Sequence, residues 1–182
     1  MNKLALALAV SGVFGLTVPI TPALATIETV EAKAAASDAA AEARADMFDV
    51  FGDKTLKPGQ YLWRETSATG PSRVVISLSD QLAFLYRGDD LVGVSTISSG
   101  KEGFDTPTGI FPILSKKPMH YSKKYENAPM PFTQFIDQYG IALHAGVIPG
   151  RPASHGCVRL PAKFAAKLFR ATNIGSTVLI GA

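Results

Sequence analysis

Short runs of β-branched, aromatic and other apolar residues recur through the middle of the chain, separated by turn-forming residues. The runs lie at 61–63, 73–79, 82–86, 91–97 and 110–113. Gly, Pro, Asp and Ser cluster between them, as is typical of short strands joined by tight turns. The pattern predicts antiparallel β meanders and therefore a mainly β domain.

The end of the chain adds one amphipathic helix to this pattern. A proline at the first turn, a stop at 173–175 and apolar residues at helical spacing predict a helix over 161–172. Its apolar positions are Phe164, Ala165, Leu168 and Phe169. Short strands are predicted on either side, at 140–143 and 176–180. We expect the helix to pack on the sheet and to steady the segment that precedes it.

The first residues have the pattern of an export signal. Lys3 precedes an apolar run over 4–18, and residues 23–25 have the small-x-small form of a signal-peptidase site. We therefore expect residues 1–25 to be a cleaved signal peptide. The alternative is an uncleaved anchor, but a run of about fifteen residues is short for a bilayer.

Residues 26–57 are rich in alanine and have no aromatic residue before Phe48. Alanine favours helix, but the apolar face of this segment is too weak to dock firmly. We expect a mobile, partly helical spacer at 26–57, followed by a single domain at 58–182. The 157 residues that follow the signal are enough for one core.

The polar and aromatic stretch at 116–130 allows two interpretations. It is either an irregular loop that covers the core or a lid over a binding pocket, since long loops often bind ligands. Residues 130–139 could line such a pocket. His120 stands among four lysines, which favours a solvated loop histidine over a ligand or catalyst.

Charge and cysteine content narrow the function classes. The full chain has a formal net charge of +3, and removal of residues 1–25 leaves 17 basic and 15 acidic residues, a net charge of about +2. So mild an excess argues against binding of nucleic acid. A lone cysteine excludes an internal disulfide, and a spare thiol in an oxidising compartment favours a functional role.

The candidate chemistry is concentrated in two segments, 143–146 and 154–160. They hold the only cysteine, Cys157, and two of the three histidines, His144 and His155. A thiol attacks a carbonyl carbon as its thiolate, so it needs a nearby base or positive charge. Either histidine could take the thiol proton and return a proton to a leaving amine near neutral pH.

The spacing leaves both histidines open as the base. In an extended segment His155 would share a face with Cys157. A hairpin through 147–153 could instead fold His144 back against the thiol. The second arrangement frees Gly156 to bend, so that amides at Gly156 and Cys157 point at a developing oxyanion, and on this ground we favour His144. A zinc site built from these residues is one alternative, but the sequence offers no second cysteine and no close carboxylate for it. The other alternative is that Cys157 is a buried structural residue.

The His-Ala-Gly and Ser-His-Gly-Cys-Val-Arg-Leu segments resemble the active-site signature of the L,D-transpeptidase family, the YkuD-type cysteine enzymes of the bacterial cell wall. Thr-Pro-Thr-Gly at 106–109 resembles a second block of that family. The resemblance extends from about residue 73 to residue 180. It implies a β-sandwich of mixed and antiparallel sheets, with one helix of the C-terminal region packed on the sheet, in a catalytic domain at 58–182.

The resemblance implies a role for each residue of the signature. His144 is the base, Cys157 is the nucleophile, and the backbone carbonyl of Ala145 orients the base. Arg159 anchors a carboxylate of the substrate, for which its planar guanidinium is suited. The residues that shape the pocket and the oxyanion site are Ser154, His155 and Gly156. No metal or other cofactor is implied.

The implied reaction is transpeptidation on the tetrapeptide stems of peptidoglycan. Cys157 forms a thioester with release of D-alanine, and an amine on a second stem, a free amino acid or a wall-linked protein takes the acyl group. With water as acceptor the protein would be an L,D-carboxypeptidase, and without turnover an inactive module that binds wall peptides. We expect an exported, periplasmic monomer associated with the cell wall.

Overall fold

The computed structural model describes residues 28–182, and the predicted signal peptide at 1–25 lies outside the described residues. Two helices form in this range, α1 (Val30–Phe51) and α2 (Ala162–Ala171). No helix among the described residues is long and apolar enough to cross a membrane. The strands in chain order are β1 (Tyr61–Trp63), β2 (Ser72–Ser77), β3 (Leu82–Arg87), β4 (Asp90–Thr96), β5 (Gly109–Pro112), β6 (Ser115–Ser122), β7 (Ala128–Phe135), β8 (Ala142–Ala145), β9 (Val158–Leu160) and β10 (Thr177–Gly181).

Six strands form the first sheet, in the order β1-β4-β3-β2-β10-β5. Neighbouring strands are antiparallel except for β2 and β10, which are parallel. The strands predicted from the apolar runs in the middle of the chain all lie in this sheet. The mainly β fold with mixed and antiparallel sheets is therefore confirmed.

Four strands form the second sheet, in the order β6-β7-β8-β9. The interpretation of 116–130 as an irregular loop is wrong, because β6 and β7 pair along their length as an antiparallel hairpin. Its turn contains Glu126 and Asn127, whose φ angles are 47° and 52°. His120 accordingly lies on a strand, with its ring 5.1 Å from that of Phe135 in an edge-to-face contact.

Side chains of the first sheet alternate between two buried faces. In β2, Val74 and Ile76 enter the main core between the sheets, whereas Val75 enters a second core on the opposite face. Helix α2 contributes Phe164 and Leu168 to the main core, and both are fully buried. The predicted packing of this helix on the sheet is therefore confirmed.

Helix α1 covers the opposite face of the first sheet. Thr29 caps its start by accepting a hydrogen bond from the amide of Ala32 at 3.2 Å. Its buried positions recur every three or four residues and so form one stripe along the helix. They are Ala32, Ala36, Ala40, Ala43 and Met47.

The expectation that this segment would not dock is wrong. Small side chains let the helix backbone approach the sheet closely: a Cβ placed on Gly181 of β10 would lie 2.6 Å from the carbonyl oxygen of Ala36. The hydroxyl of Tyr86 on β3 donates a hydrogen bond to Asp46 of the helix at 2.6 Å. An alanine stripe thus docks by close approach instead of large apolar side chains. The domain division at 26–57 and 58–182 stays a prediction.

Candidate active site

Strands β8 and β9 bring the two candidate segments, 143–146 and 154–160, together. They run parallel, with Leu143 opposite Val158 and His144 opposite Arg159. The connection over 146–157 is therefore a crossover and not the hairpin expected from the sequence. Because Cys157 directly precedes β9, this register places it at the end of the strand pair that carries His144.

His144 is held as a neutral imidazole. Its side chain is buried, and its Nδ1 lies 2.8 Å from the carbonyl oxygen of Ala145. A carbonyl can only accept, so Nδ1 carries the hydrogen and the lone pair belongs to Nε2. Burial lowers the pKa of His144 to about 4, and the charge of Arg159 acts in the same direction, against the Ala145 carbonyl.

Cys157 is held as a thiol. Its Sγ donates a weak hydrogen bond to the carbonyl oxygen of Gly140, with a Sγ···O distance of 3.6 Å. Burial raises the pKa of the Cys157 thiol, and the negative charge of Asp137 raises it further. A backbone hydrogen bond from Ala142 and the charge of Arg159 oppose that rise. At neutral pH the resting pair is therefore a thiol and a neutral imidazole.

The turn before the cysteine is built around Ser154 and Gly156. The hydroxyl of Ser154 donates to the carbonyl oxygen of Cys157 at 2.5 Å and accepts from the amide of Gly156 at 3.1 Å. Gly156 has a φ of +109°, and a Cβ there would lie 2.7 Å from Cδ1 of Ile141, so only glycine fits. Because the Gly156 amide is already paired, the adjacent amide of Cys157 remains as the candidate oxyanion donor.

The loop that follows β4 braces this turn from the first sheet. Thr106 donates to the carbonyl oxygen of Gly156 at 2.8 Å and accepts from the amide of Gly100 at 2.9 Å. Ser98 exchanges two backbone hydrogen bonds with Arg159, at 3.0 and 3.1 Å. Thr106 is a structural support that sequence reasoning missed, although its Thr-Pro-Thr-Gly block was recognised.

His155 points into an aromatic cluster at the rim of the site. Its ring stacks on Tyr125 at 4.5 Å and meets the edge of Phe104 at 4.6 Å. Tyr125 belongs to the turn of the β6–β7 hairpin, so the hairpin contacts the motif at His155, and the lid interpretation stays a prediction. The pKa of His155 is lowered by partial burial and then by the nearby charges of Lys101, Arg159 and Lys124.

Arg159 projects from β9 beside the base. Its aliphatic stem packs on Gly146, where a Cβ would lie 3.0 Å from Cγ and Cδ of the arginine. Within residues 28–182 the only ion pair joins Arg64 and Asp90. Arg159, a half-buried residue, therefore has no carboxylate partner in this range, which suits the predicted anchoring of a carboxylate.

The described residues form no cluster of three side chains that could hold a metal ion. Ring contacts turn His155 toward the hairpin, whereas Ala145 and Arg159 flank His144. The structure thus gathers His144, Cys157 and the Ser154–Gly156 turn, with His155 on the rim. The predicted roles of these residues stay predictions.

Comparisons with known proteins agree with this geometry. The model of the L,D-transpeptidase catalytic domain family, YkuD, matches residues 71–180. No curated protein matches the chain significantly.

Solved structures of similar fold include three L,D-transpeptidases. The protein from Stackebrandtia nassauensis is 24% identical with a TM-score of 0.57, over 76% of this chain and 66% of that one. The protein from Xylanimonas cellulosilytica is 28% identical with a TM-score of 0.55, over 63% and 62%. The protein from Mycobacterium tuberculosis H37Rv is 21% identical with a TM-score of 0.56, over 60% and 57%. This chain thus spans less than two thirds of each. Because the family model covers more than half of the sequence, the chain belongs to the YkuD family of L,D-transpeptidase catalytic domains.

Proposed function

We propose that this domain is a cysteine-dependent L,D-transpeptidase that acts on the tetrapeptide stems of peptidoglycan. The observation that carries the proposal is the orientation of His144. Its Nδ1–H is bound to the Ala145 carbonyl at 2.8 Å, and its Nε2 is a free base on the strand that pairs with the one following Cys157. A thiol and a neutral imidazole in that relation suit acyl transfer.

In the acylation step, Nε2 of His144 takes the proton from Cys157 as Sγ bonds to the carbonyl carbon of the third stem residue. The oxyanion that develops is stabilised by the amide of Cys157, the donor beside the occupied Gly156 amide. Collapse of this intermediate breaks the C–N bond. His144 returns the proton to the nitrogen, D-alanine leaves, and a thioester remains.

In the transfer step, an acceptor amine attacks the thioester carbonyl while His144 takes its proton. The C–S bond then breaks, the sulfur regains a proton from His144, and an amide forms on a second stem, a free amino acid or a wall-linked protein. Water as acceptor would give a tripeptide stem and an L,D-carboxypeptidase. No protein residue other than His144 and Cys157 needs to exchange a proton in either step.

We further propose that Arg159 binds a carboxylate of the donor stem. Support comes from its position opposite His144 in the strand register and from the lack of a carboxylate partner for it within residues 28–182. The proposed substrate also implies export to the periplasm, where the stems lie, and the pattern of residues 1–25 supports that location.

Purified tetrapeptide muropeptides test the proposal directly. The mature protein and Cys157→Ala are incubated with them, and products and intact protein are analysed by mass spectrometry. Loss of D-alanine with cross-linked dimers or exchanged stems, seen only with the parent, is the expected result. Tripeptide alone would instead establish a carboxypeptidase. Neither product nor acyl-enzyme would reject the enzymatic proposal in favour of a wall-peptide-binding module, and full activity in Cys157→Ala would reject the cysteine mechanism.

A further inference from the structure

The loop between β7 and β8 is folded around a single carboxylate. Oδ1 of Asp137 accepts hydrogen bonds from the amides of Tyr139, Gly140 and Ile141, at 2.9, 2.8 and 2.8 Å. The loop is closed by a backbone bond from the amide of Ile136 to the carbonyl of Ile141 at 2.9 Å. One oxygen atom therefore fixes three consecutive peptide units.

Two groups of this loop bear on the reacting cysteine. The carbonyl oxygen of Gly140 accepts the hydrogen bond from Sγ of Cys157 at 3.6 Å. The side chain of Ile141 lies against Gly156, so close that a Cβ on the glycine would be 2.7 Å from Cδ1. Both contacts come from peptide units whose amides Asp137 binds.

We infer that Asp137 is a positioning residue for Cys157, acting through the Tyr139–Ile141 peptide units that it holds. It orients the thiol through the Gly140 carbonyl and supports the Gly156 turn through Ile141. A nucleophile that is displaced by about 1 Å can lose roughly 100-fold in rate, so a loop that fixes the direction of Sγ contributes to turnover without contacting the substrate.

The charge of Asp137 adds a second, separable effect. The groups that influence the thiol are Asp137 on this loop, Arg159 on β9 and the backbone of Ala142 on β8, while His144 is neutral at ordinary pH. Among them only Asp137 is negative, and it raises the pKa of the Cys157 thiol. Removing the charge should therefore allow the thiolate to form at lower pH.

Two substitutions separate the charge from the hydrogen bonds. Asp137→Asn keeps an oxygen that can accept the three amides but removes the charge. Asp137→Ala removes both. Asp38→Asn and Asp38→Ala, on an exposed position of α1, are the matched controls.

The measurements are kcat and KM on muropeptides and the pH dependence of alkylation of Cys157 by iodoacetamide. We expect Asp137→Ala to lower kcat by about 10- to 100-fold with KM within about 2-fold, and Asp137→Asn to keep kcat within about 3-fold. In both variants the midpoint of alkylation should move to lower pH. The Asp38 variants should match the parent in every measurement.

A parent-like alkylation midpoint in Asp137→Asn would overturn the link to the thiol, and parent-like kcat in Asp137→Ala would overturn the positioning role. If the alanine variant fails to fold by circular dichroism, Asp137→Ser, which removes the carboxylate but keeps a small polar side chain, replaces it in the kcat comparison. The inference rests on the proposed transpeptidase activity for kcat, but alkylation needs no substrate. If the protein shows no turnover but the alkylation midpoint still shifts in the Asp137 variants, the link between Asp137 and Cys157 is supported and only the proposed function is rejected.

Discussion

The two helices of the domain pack by different means and at different places relative to the chemistry. Helix α1 lays an alanine stripe on the first sheet, against β10 and β2. Helix α2 packs against β7 and against β8, the strand that carries His144, and the ring of Phe164 also meets Tyr61 and Trp63 of β1. The molecule thus has a scaffold face, covered by α1, and a site face, supported by α2. We expect changes on the scaffold face to alter stability alone, and changes on the site face to alter turnover.

The largest contrast should come from the base. His144→Ala is expected to slow acylation about 100- to 10,000-fold, because no other group on β8 can take the thiol proton. Single-turnover formation of the thioester, followed by mass spectrometry, measures it. His120→Ala, on the hairpin, is the matched control and should stay within about 3-fold of the parent. Equal rates for the two variants would remove His144 from the mechanism.

Truncating one buried side chain of each helix tests the distinction between the scaffold face and the site face. Met47→Ala in α1 and Leu168→Ala in α2 both empty fully packed positions, so each should lower the free energy of unfolding by about 2–5 kcal/mol. Denaturant melts measure that loss, and kcat is compared at temperatures where both variants are folded. Only Leu168→Ala should lower kcat, since it loosens the support of β8. An equal loss of kcat in Met47→Ala would contradict the separation of the two faces.

Acid should destabilise the site face through His144. Its folded pKa of about 4 lies below the unfolded value of 6.5, so the unfolded chain binds the proton more tightly. Neutral His144 therefore contributes about 3 kcal/mol to the free energy of unfolding. This contribution is fully present above pH 6.5 and is lost as the pH falls toward 4. Urea melts between pH 7 and 4 measure this slope. His144→Ala should reduce the dependence of the free energy of unfolding on pH, whereas His120→Ala should keep most of it. An unchanged dependence in His144→Ala would show that other groups cause it.

The smallest effect is expected from replacing one basic side chain by another. Arg159→Lys should raise KM for the stem about 5- to 10-fold with little change in melting temperature, because an ammonium cannot bind a carboxylate with two parallel bonds. Arg73→Lys is the counterpart on the scaffold face, where the guanidinium lies 4.4 Å from the ring centre of Tyr86. It should leave KM unchanged. A loss of stability without a change in KM for Arg159→Lys would make that arginine structural.

The candidate site was largely predictable because its chemistry is local in sequence. Cys157, His144 and Arg159 stand within 143–160, and the helix that follows them has a clear apolar face with a proline at its start. The supports of the site were not predictable in the same way. Thr106 acts through a hydrogen bond to the carbonyl oxygen of Gly156, far along the chain. Asp137 binds amides of its own loop, but its effect on the site depends on the contact of Gly140 in that loop with Cys157, and neither residue type indicates such a partner.

The sequence of the strands indicated that a second element covers the sheet, whereas the sequence of α1 itself did not indicate that it docks. Residues 74–76 and 82–86 are apolar at consecutive positions, which is typical of strands buried on both faces. Such a sheet needs a cover on each side, and α1 is the cover for the second face. The β6–β7 hairpin was hidden for another reason, since Pro118, Pro129 and Pro131 lower the strand propensity of both arms.

The alanine stripe of α1 also limits how this part of the chain can change. Ala36 is fully buried, and its backbone lies so close to β10 that a Cβ on Gly181 would collide with its carbonyl oxygen, so a larger side chain at position 36 would push the helix off the sheet. In a saturation library selected for folded protein, positions 32, 36, 40 and 43 should be depleted of every residue larger than serine, while the outward positions between them vary freely. A segment that hydropathy marks as dispensable would then appear as constrained as a leucine core.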